Sequence, residues 1–452
     1  MSLQNASTES ALARCPIEVW EQILTAVVYA SRKPLTSKRG AISLDRYRNR
    51  VEYYGYITEA YQPHTTAWTA WYEDIRFAVD ISSKRTVNSF DWSHRLVCKA
   101  WNRLLLPLLL QTVRVHKDYT QLEKTLAMLG TDVGGHTLGY FVRRLLVHVM
   151  YFQDWDVKEP DDKTATSLMS RLFELCPRLQ DVRYVEDVIL PSTDLSARYF
   201  SNVKRLAMGC GMTIDTNTLL DFCASLPCLE ELDITSYHNT GPTETGGRRP
   251  CLSSLTHLAV SSTDSDEFLV YLASCDFPSL KHIFLADAYR ADMSGAMPLL
   301  QAHGINLRSV VFAHLTRPPD DAVEIALLRL CPNVQEYTTC LPWAVSHALF
   351  PSLPRLRSLA ACGFGIHISS QDIELHTAHF TQPQNTAHLF FAKLNPDNTP
   401  SLAVIKALDL EGTTAQGVPL LNTISAVSDI CRARGICFQD ALEQEIVDIN
   451  SV

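Results

Sequence analysis

One short phrase recurs at a nearly fixed interval between Phe200 and Phe312: an apolar residue, two others, an apolar residue, two others, then apolar–x–apolar. It reads Phe200, Val203, Leu206, Met208, then Leu226, Leu229, Leu232, Ile234, then Leu252, Leu255, Leu258, Val260, then Phe277, Leu280, Ile283, Leu285. A fifth copy, Leu307, Val310 and Phe312, has Gly304 at its first position. The second positions fall at 203, 229, 255, 280 and 307, steps of 26, 26, 25 and 27. A chain with this period is predicted to build one strand and one helical return per copy. Such a unit cannot bury its apolar face alone, so it must stack on its neighbours.

The ruler extends both ways. Upstream stand Val142, Leu145, Val147 and Cys176, Leu179, Val182, Tyr184; downstream stand Cys331, Val334, Tyr337 and Leu353, Leu356, Leu359, Ala361. A last copy is read as Leu402, Ile405, Leu408, Leu410, with the gap before it wide enough for a distorted repeat around Leu389–Leu394. About ten strands are expected on this count. An L-x-x-L-x-L core with a period of about 20 to 29 residues resembles a leucine-rich repeat. The predicted fold is therefore α/β, a curved solenoid of parallel strands and helical returns.

A single compact core seldom holds 452 residues, but a solenoid core grows lengthwise. The formal net charge of -9 and a pI near 5.9 argue against a broad phosphate-binding surface, leaving room for a local basic patch. The 13 cysteines are scattered and form no C-x-x-C pair. Several occupy apolar repeat positions (Cys176, Cys331) or returns (Cys223, Cys275), as packed thiols do. With polar, small residues at 1–14 and no long apolar run, the expectation is a reduced compartment, cytoplasmic and/or nuclear, with no membrane partner.

Ahead of the repeats, residues 1–14 read as a flexible tail. Pro16 then opens an amphipathic helix with apolar residues at Ile17, Trp20, Ile23, Leu24 and Val27. Residues 31–90 break the pattern with a basic loop and a tyrosine-rich piece; the region is not persistently basic, so a nucleic-acid surface is not expected. A second helix carries Leu96, Val97, Ala100, Trp101 and Leu104 on one face and meets Pro107.

The pair Pro16-Ile17-Glu18-Val19-Trp20-Glu21-Gln22-Ile23-Leu24 and Leu96-Val97-Cys98-Lys99-Ala100-Trp101-Asn102-Arg103 resembles the two halves of an F-box. The match is to the F-box of fungal proteins in which that motif precedes leucine-rich repeats. Residues 25–95 separate the halves, far more than an ordinary F-box has. The resemblance implies a helical module over 15–115 with an insertion at about 31–90, an adapter segment over 116–140, a solenoid over 141–440 and a tail over 441–452. It also implies that Pro16, Ile17, Val19, Trp20, Ile23, Leu24, Leu96, Val97, Cys98 and Trp101 dock onto a Skp-family adaptor, and through it a cullin.

Within the solenoid, helical returns are predicted over Leu168–Leu175, Leu219–Leu226, Phe268–Leu272, Ala322–Leu330 and Ala344–Leu349. A helix, a break at Gly435 and a short strand close the chain over Val427–Phe438.

Catalytic patterns are absent from the sequence. His376 and His379, with His367 and His388 nearby, lack the spacing and partners of a zinc site. Gly209-Cys210-Gly211 and Gly363-Phe364-Gly365 lack the remainder of a phosphate-binding loop. His94 and Cys98 share a helix face but read as packed side chains. Glu230, Glu231 and Asp233 read as solvated strand positions. No cofactor, metal or catalytic residue is expected. The functional expectation is a non-enzymatic substrate-recognition adaptor of an SCF-type cullin-RING ubiquitin ligase, its repeats holding a client protein. The alternative is a leucine-rich-repeat scaffold with a degenerate box and no ligase link.

Overall fold

The computed structural model describes residues 110–446, apart from 117–118, 134, 149–161, 185–198, 209–212, 215, 236–237, 240–248, 262–265, 288–294, 315–320, 341–346, 363–388, 408–417 and 440–444. Twelve parallel strands form one sheet in strict chain order. They are β1 (Thr112–His116), β4 (Arg144–His148), β5 (Asp181–Tyr184), β6 (Arg205–Met208), β8 (Glu231–Thr235), β10 (His257–Ser261), β11 (His282–Asp287), β12 (Ser309–His314), β13 (Glu336–Cys340), β14 (Ser358–Cys362), β15 (Val404–Ala407) and β16 (Cys437–Gln439). Two small ladders stand apart: β2 (Asp132–Val133) with β3 (His136–Thr137), and β7 (Thr213–Ile214) with β9 (His238–Asn239). The result is a solenoid-like stack of strands and helical returns.

The recurring phrase maps onto this stack position by position. Its third and fourth residues alternate inward along each strand, as a period of two requires. Leu206, Leu232, Leu258 and Ile283 are consecutive register partners, as are Met208, Ile234, Val260 and Leu285, and all are buried in one continuous core. The first and second residues are tied by a tight turn: the amide of Val203 donates to the carbonyl of Phe200, Leu229 to Leu226 and Leu255 to Leu252.

Two further sets of bonds hold one turn of the stack against the next. In the twelve-stranded sheet from β1 to β14, the residue just ahead of each strand, the lead residue, offers its carbonyl to two successive amides of the following turn. Lys204 accepts from Glu230 and Glu231, and Glu230 accepts in turn from Thr256 and His257. Side chains beside the turn repeat the pattern: Asn202 donates to the carbonyl of Pro177, Ser254 to Pro227, Ser279 to Ser253, Asn333 to Ile305 and Ser401 to Pro354. Each such pair joins the residue before one second position to the residue two before the second position of the preceding turn, and the contact is kept whether 25 or 47 residues separate the partners.

The returns follow the apolar runs: α2 (Asp162–Leu175), α3 (Thr216–Ala224), α4 (Asp266–Ser274) and α6 (Asp321–Leu328). An additional return, α5 (Ala296–His303), escaped the sequence reading because Pro298 interrupts its pattern. That proline sits in the first helical turn, where a missing amide costs nothing. His347–Leu349, the described end of the last predicted return, is not helical. The last copy of the phrase also needs correction. Leu359 pairs with Ile405, so Ile405 is a third position, Leu402 is the second and Ala407 the fourth. In the sheet β15 pairs directly with β14, and residues 389–392 form a helical turn whose Phe390 and Phe391 fill the core.

The sheet begins upstream of 141. Val113 and Val115 of β1 pair with Leu145 and Val147, and α1 (Tyr119–Leu129) covers that end, burying Leu122, Leu126 and Leu129. At the other end α7 (Val418–Arg434) stops at Gly435, whose φ of 66° suits a residue without a Cβ. Ile436 donates to the carbonyl of Cys431 at 2.8 Å and Gly435 to that of Arg432 at 3.2 Å, the two bonds of a Schellman motif. Arg434 then reaches back to the carbonyl of Leu394 at 2.9 Å and to Thr399, joining the final helix to the turn before β15.

Gly139 and Gly304 hold the first position of their copies for a steric reason. A Cβ on Gly139 would lie 2.2 Å from the carbonyl oxygen of Leu175, and one on Gly304 would lie 2.4 Å from that of Leu330. Both oxygens belong to the end of the next return, so the glycine is where two turns touch. Gly304→Ala is expected to destabilise by about 1–3 kcal/mol through overpacking. Leu258→Ala, at a fully buried third position, is expected to cost about 2–5 kcal/mol. Urea denaturation of both variants measures these shifts; an unchanged midpoint for Gly304→Ala would refute the close approach.

Candidate protein-binding face

Residues between the inward positions of each strand face away from the helical core and form columns across the sheet, because the strands are parallel and in register. The first strand residues, read in order from β4, are Arg144, Asp181, Arg205, Glu231, His257, His282, Ser309, Glu336 and Ser358. The middle residues include Arg183, Ala207, Asp233, Ala259, Phe284, Val311, Thr338 and Ala360, and these are buried. The face is thus zoned: charge at its start, imidazoles in the middle and, apart from Glu336, apolar or hydroxyl groups beyond.

The charged zone alternates in sign. Arg183 donates to Asp181 in a fork, Nε to Oδ1 at 3.2 Å and Nη2 to Oδ2 at 3.3 Å, with Arg144 Nε on the next strand 3.9 Å from Oδ2. Arg205 Nε lies 3.1 Å from Oε2 of Glu231, its register partner. Lys204 and Glu230, both lead residues, pair at 2.7 Å. Burial holds the Glu231 carboxyl above the ordinary carboxylate range, with Arg205 acting against it. Asp233 corrects the sequence reading: it is 7% exposed, not solvated.

His257 and His282 are register partners on β10 and β11, and their rings stack with centroids 4.1 Å apart and planes inclined by 4°. Thr256 Oγ1 lies 2.8 Å from His257 Nδ1. Burial pushes both imidazoles down to about 4, helped by Arg205 at His257 and by His257, Lys281 and Arg308 at His282. The pair is therefore neutral near pH 7 and presents hydrogen-bonding groups without charge. On the core side, Glu324 of α6 is buried and accepts from Tyr337 and from Thr339 at 2.8 and 2.7 Å, tying that return to β13.

The four cysteines expected at repeat positions or in returns, Cys176, Cys223, Cys275 and Cys331, are buried. Desolvation raises the thiols of Cys176, Cys275 and Cys331 to about 12 and that of Cys223 higher still. Cys228 and Cys251 are exposed. The proposed adaptor-docking residues, Pro16 to Leu24 and Leu96 to Trp101, lie outside the described residues, as do His367, His376, His379, His388, His94 and Cys98 and both glycine pairs. Among the described residues no group of three or more potential ligands is placed to hold a metal, and no helix is long and apolar enough to cross a membrane. The columns are not visible in the apolar phrase, which leaves the outward positions of each copy unspecified. Reading the residue before each third position would have exposed the alternation of charge and the two histidines.

No protein-family model matches this chain, and no curated protein does.

Two outcomes are expected. An unfolded histidine titrates near 6.5, whereas these two hold off protons until about pH 4. The unfolded chain thus takes up protons first, so their contribution to stability falls as pH drops from about 6.5 to about 4 and is level above that window. The double variant His257→Gln, His282→Gln should flatten this slope in urea midpoints measured at pH 7 and pH 5. Second, alkylation of the native protein mapped by mass spectrometry should label Cys228 and Cys251 well ahead of Cys176, Cys223, Cys275 and Cys331. Equal labelling of the buried set would contradict the packing described.

Proposed function

We propose that this chain is the substrate-recognition adaptor of an SCF-type cullin-RING ubiquitin ligase. On this reading the sheet and its returns are a curved leucine-rich-repeat solenoid that holds a client protein. The two N-terminal helical segments form an F-box-like module that docks onto a Skp-family adaptor and through it a cullin. The observation that carries it is the order of parts: the segment Leu96–Arg103, the more specific half of the resemblance, leads directly into the first strand of a twelve-stranded parallel stack. A stack of this kind offers an extended surface whose columns can be varied without disturbing the core. The apolar anchors Ile17, Trp20, Ile23, Leu96, Val97 and Trp101 have helical spacing, as helix-in-groove docking requires. Ubiquitin transfer itself would belong to other subunits.

The second reading, a repeat scaffold whose box has lost its adaptor, is favoured by the long stretch 25–95 between the two halves. Co-purification with a Skp-family adaptor separates the two. The wild-type chain is expected to form a one-to-one complex, and the variant Trp20→Ala, Leu96→Ala, Trp101→Ala to lose it, each buried anchor being worth about 2 kcal/mol or more. A well-folded wild type that fails to bind the adaptor leaves only the scaffold reading.

A further inference from the structure

A strip of unpaired basic side chains crosses the leading edge of β11 to β14. The lead residues of these strands are Lys281, Arg308, Gln335 and Arg357, and consecutive members are joined backbone to backbone. Arg308 donates to the carbonyl of Lys281 at 2.7 Å, Gln335 to that of Arg308 at 2.7 Å and Arg357 to that of Gln335 at 2.8 Å. Neighbouring strands lie about 4.8 Å apart, so Lys281 and Arg357 stand roughly 14 Å from each other. All three cations are exposed. Among the described residues none of them makes an ion pair. Lys204, in the same column, is by contrast neutralised by Glu230 at 2.7 Å. Glu336, which follows Gln335 in sequence, is exposed and makes no ion pair among the described residues.

Three like charges held in a row are mutually repulsive, and a chain with a net charge of -9 has carboxylates to spare for them. That none is used leaves the strip complementary to negative charge brought from outside. An extended peptide rises about 3.3 Å per residue, so acidic side chains four apart span about 13 Å and fall on the same side. That separation matches the distance from Lys281 to Arg357. The aromatic side chains that would stack on unpaired bases have no counterpart among the strip's own residues.

We propose that this strip docks an acidic segment of a client protein, a stretch of Asp and Glu lying across the leading edge of β11 to β14. The proposal rests on the client-binding half of the function given above and is independent of the adaptor contact. Fluorescence anisotropy with a short fluorescein-labelled oligoglutamate tests it on the full chain. Binding should weaken with salt and fall about tenfold or more in Lys281→Glu, Arg308→Glu, Arg357→Glu, the sum of three surface charge contacts. Lys204→Gln should leave it unchanged. If the reversed variant melts early, the neutral set Lys281→Gln, Arg308→Gln, Arg357→Gln replaces it, with a smaller loss expected. Binding that survives both sets, no binding by the wild type, or an oligothymidylate bound more tightly than oligoglutamate would each overturn the proposal. Adaptor co-purification of the same variants should match the wild type, so a failed adaptor reading and a failed peptide reading remain distinguishable.

Discussion

The bond on which the rest of the molecule depends is made by the carbonyl of the lead residue, which in the large sheet from β1 to β14 accepts two amides from the turn that follows. It fixes where the next strand starts, and so fixes the register of every inward side chain. With the register set, Leu206, Leu232, Leu258 and Ile283 lie side by side and the core is continuous from β1 to β16. Because each turn touches only its neighbours, stability is in effect a chain of interfaces. A single oversized atom at Gly304 therefore acts on the joint between two turns, not on one repeat alone.

The same register turns any residue type at a given position into a column. On the core side this makes a hydrocarbon stripe; on the other side it sets charges and imidazoles at strand spacing. At about 4.8 Å, adjacent groups must alternate in sign, be neutral or be partnered. Arg144, Asp181, Arg205 and Glu231 alternate, and the stacked His257 and His282 stay neutral through burial and the positive charge nearby. Among the described residues Lys281, Arg308 and Arg357 do neither, and on the proposal above an acidic client segment supplies the missing charge.

On the proposed function, these two levels divide the work. The joints between turns make a rigid scaffold, and the columns give it an address. Variation in a column leaves the joints intact, so client choice can change without loss of fold. The F-box-like segments, read from sequence, precede the stack and would carry the constant contact to the ligase.

The repeating phrase was legible because burial acts on each copy alike: the apolar residue needed at the third position of a copy recurs at the third position of the next. The strands, most returns, the buried cysteines and the helix–Gly435–strand close all follow from that local pattern. Other features were not local. Pro298 looks like a helix breaker until the fold places it in a first turn. The frame of the last copy, Leu402 and not Ile405 at the second position, depends on β14 pairing directly with β15 across residues 363–403. Asp233 reads as solvated until its neighbours bury it, and the columns of charge exist only between turns. Sequence by itself determined the repeat and what each copy must bury, since apolar periodicity is written within one turn. Tertiary structure alone decided which residues stand next to one another across turns, since that adjacency is set by strand register between segments far apart in the chain.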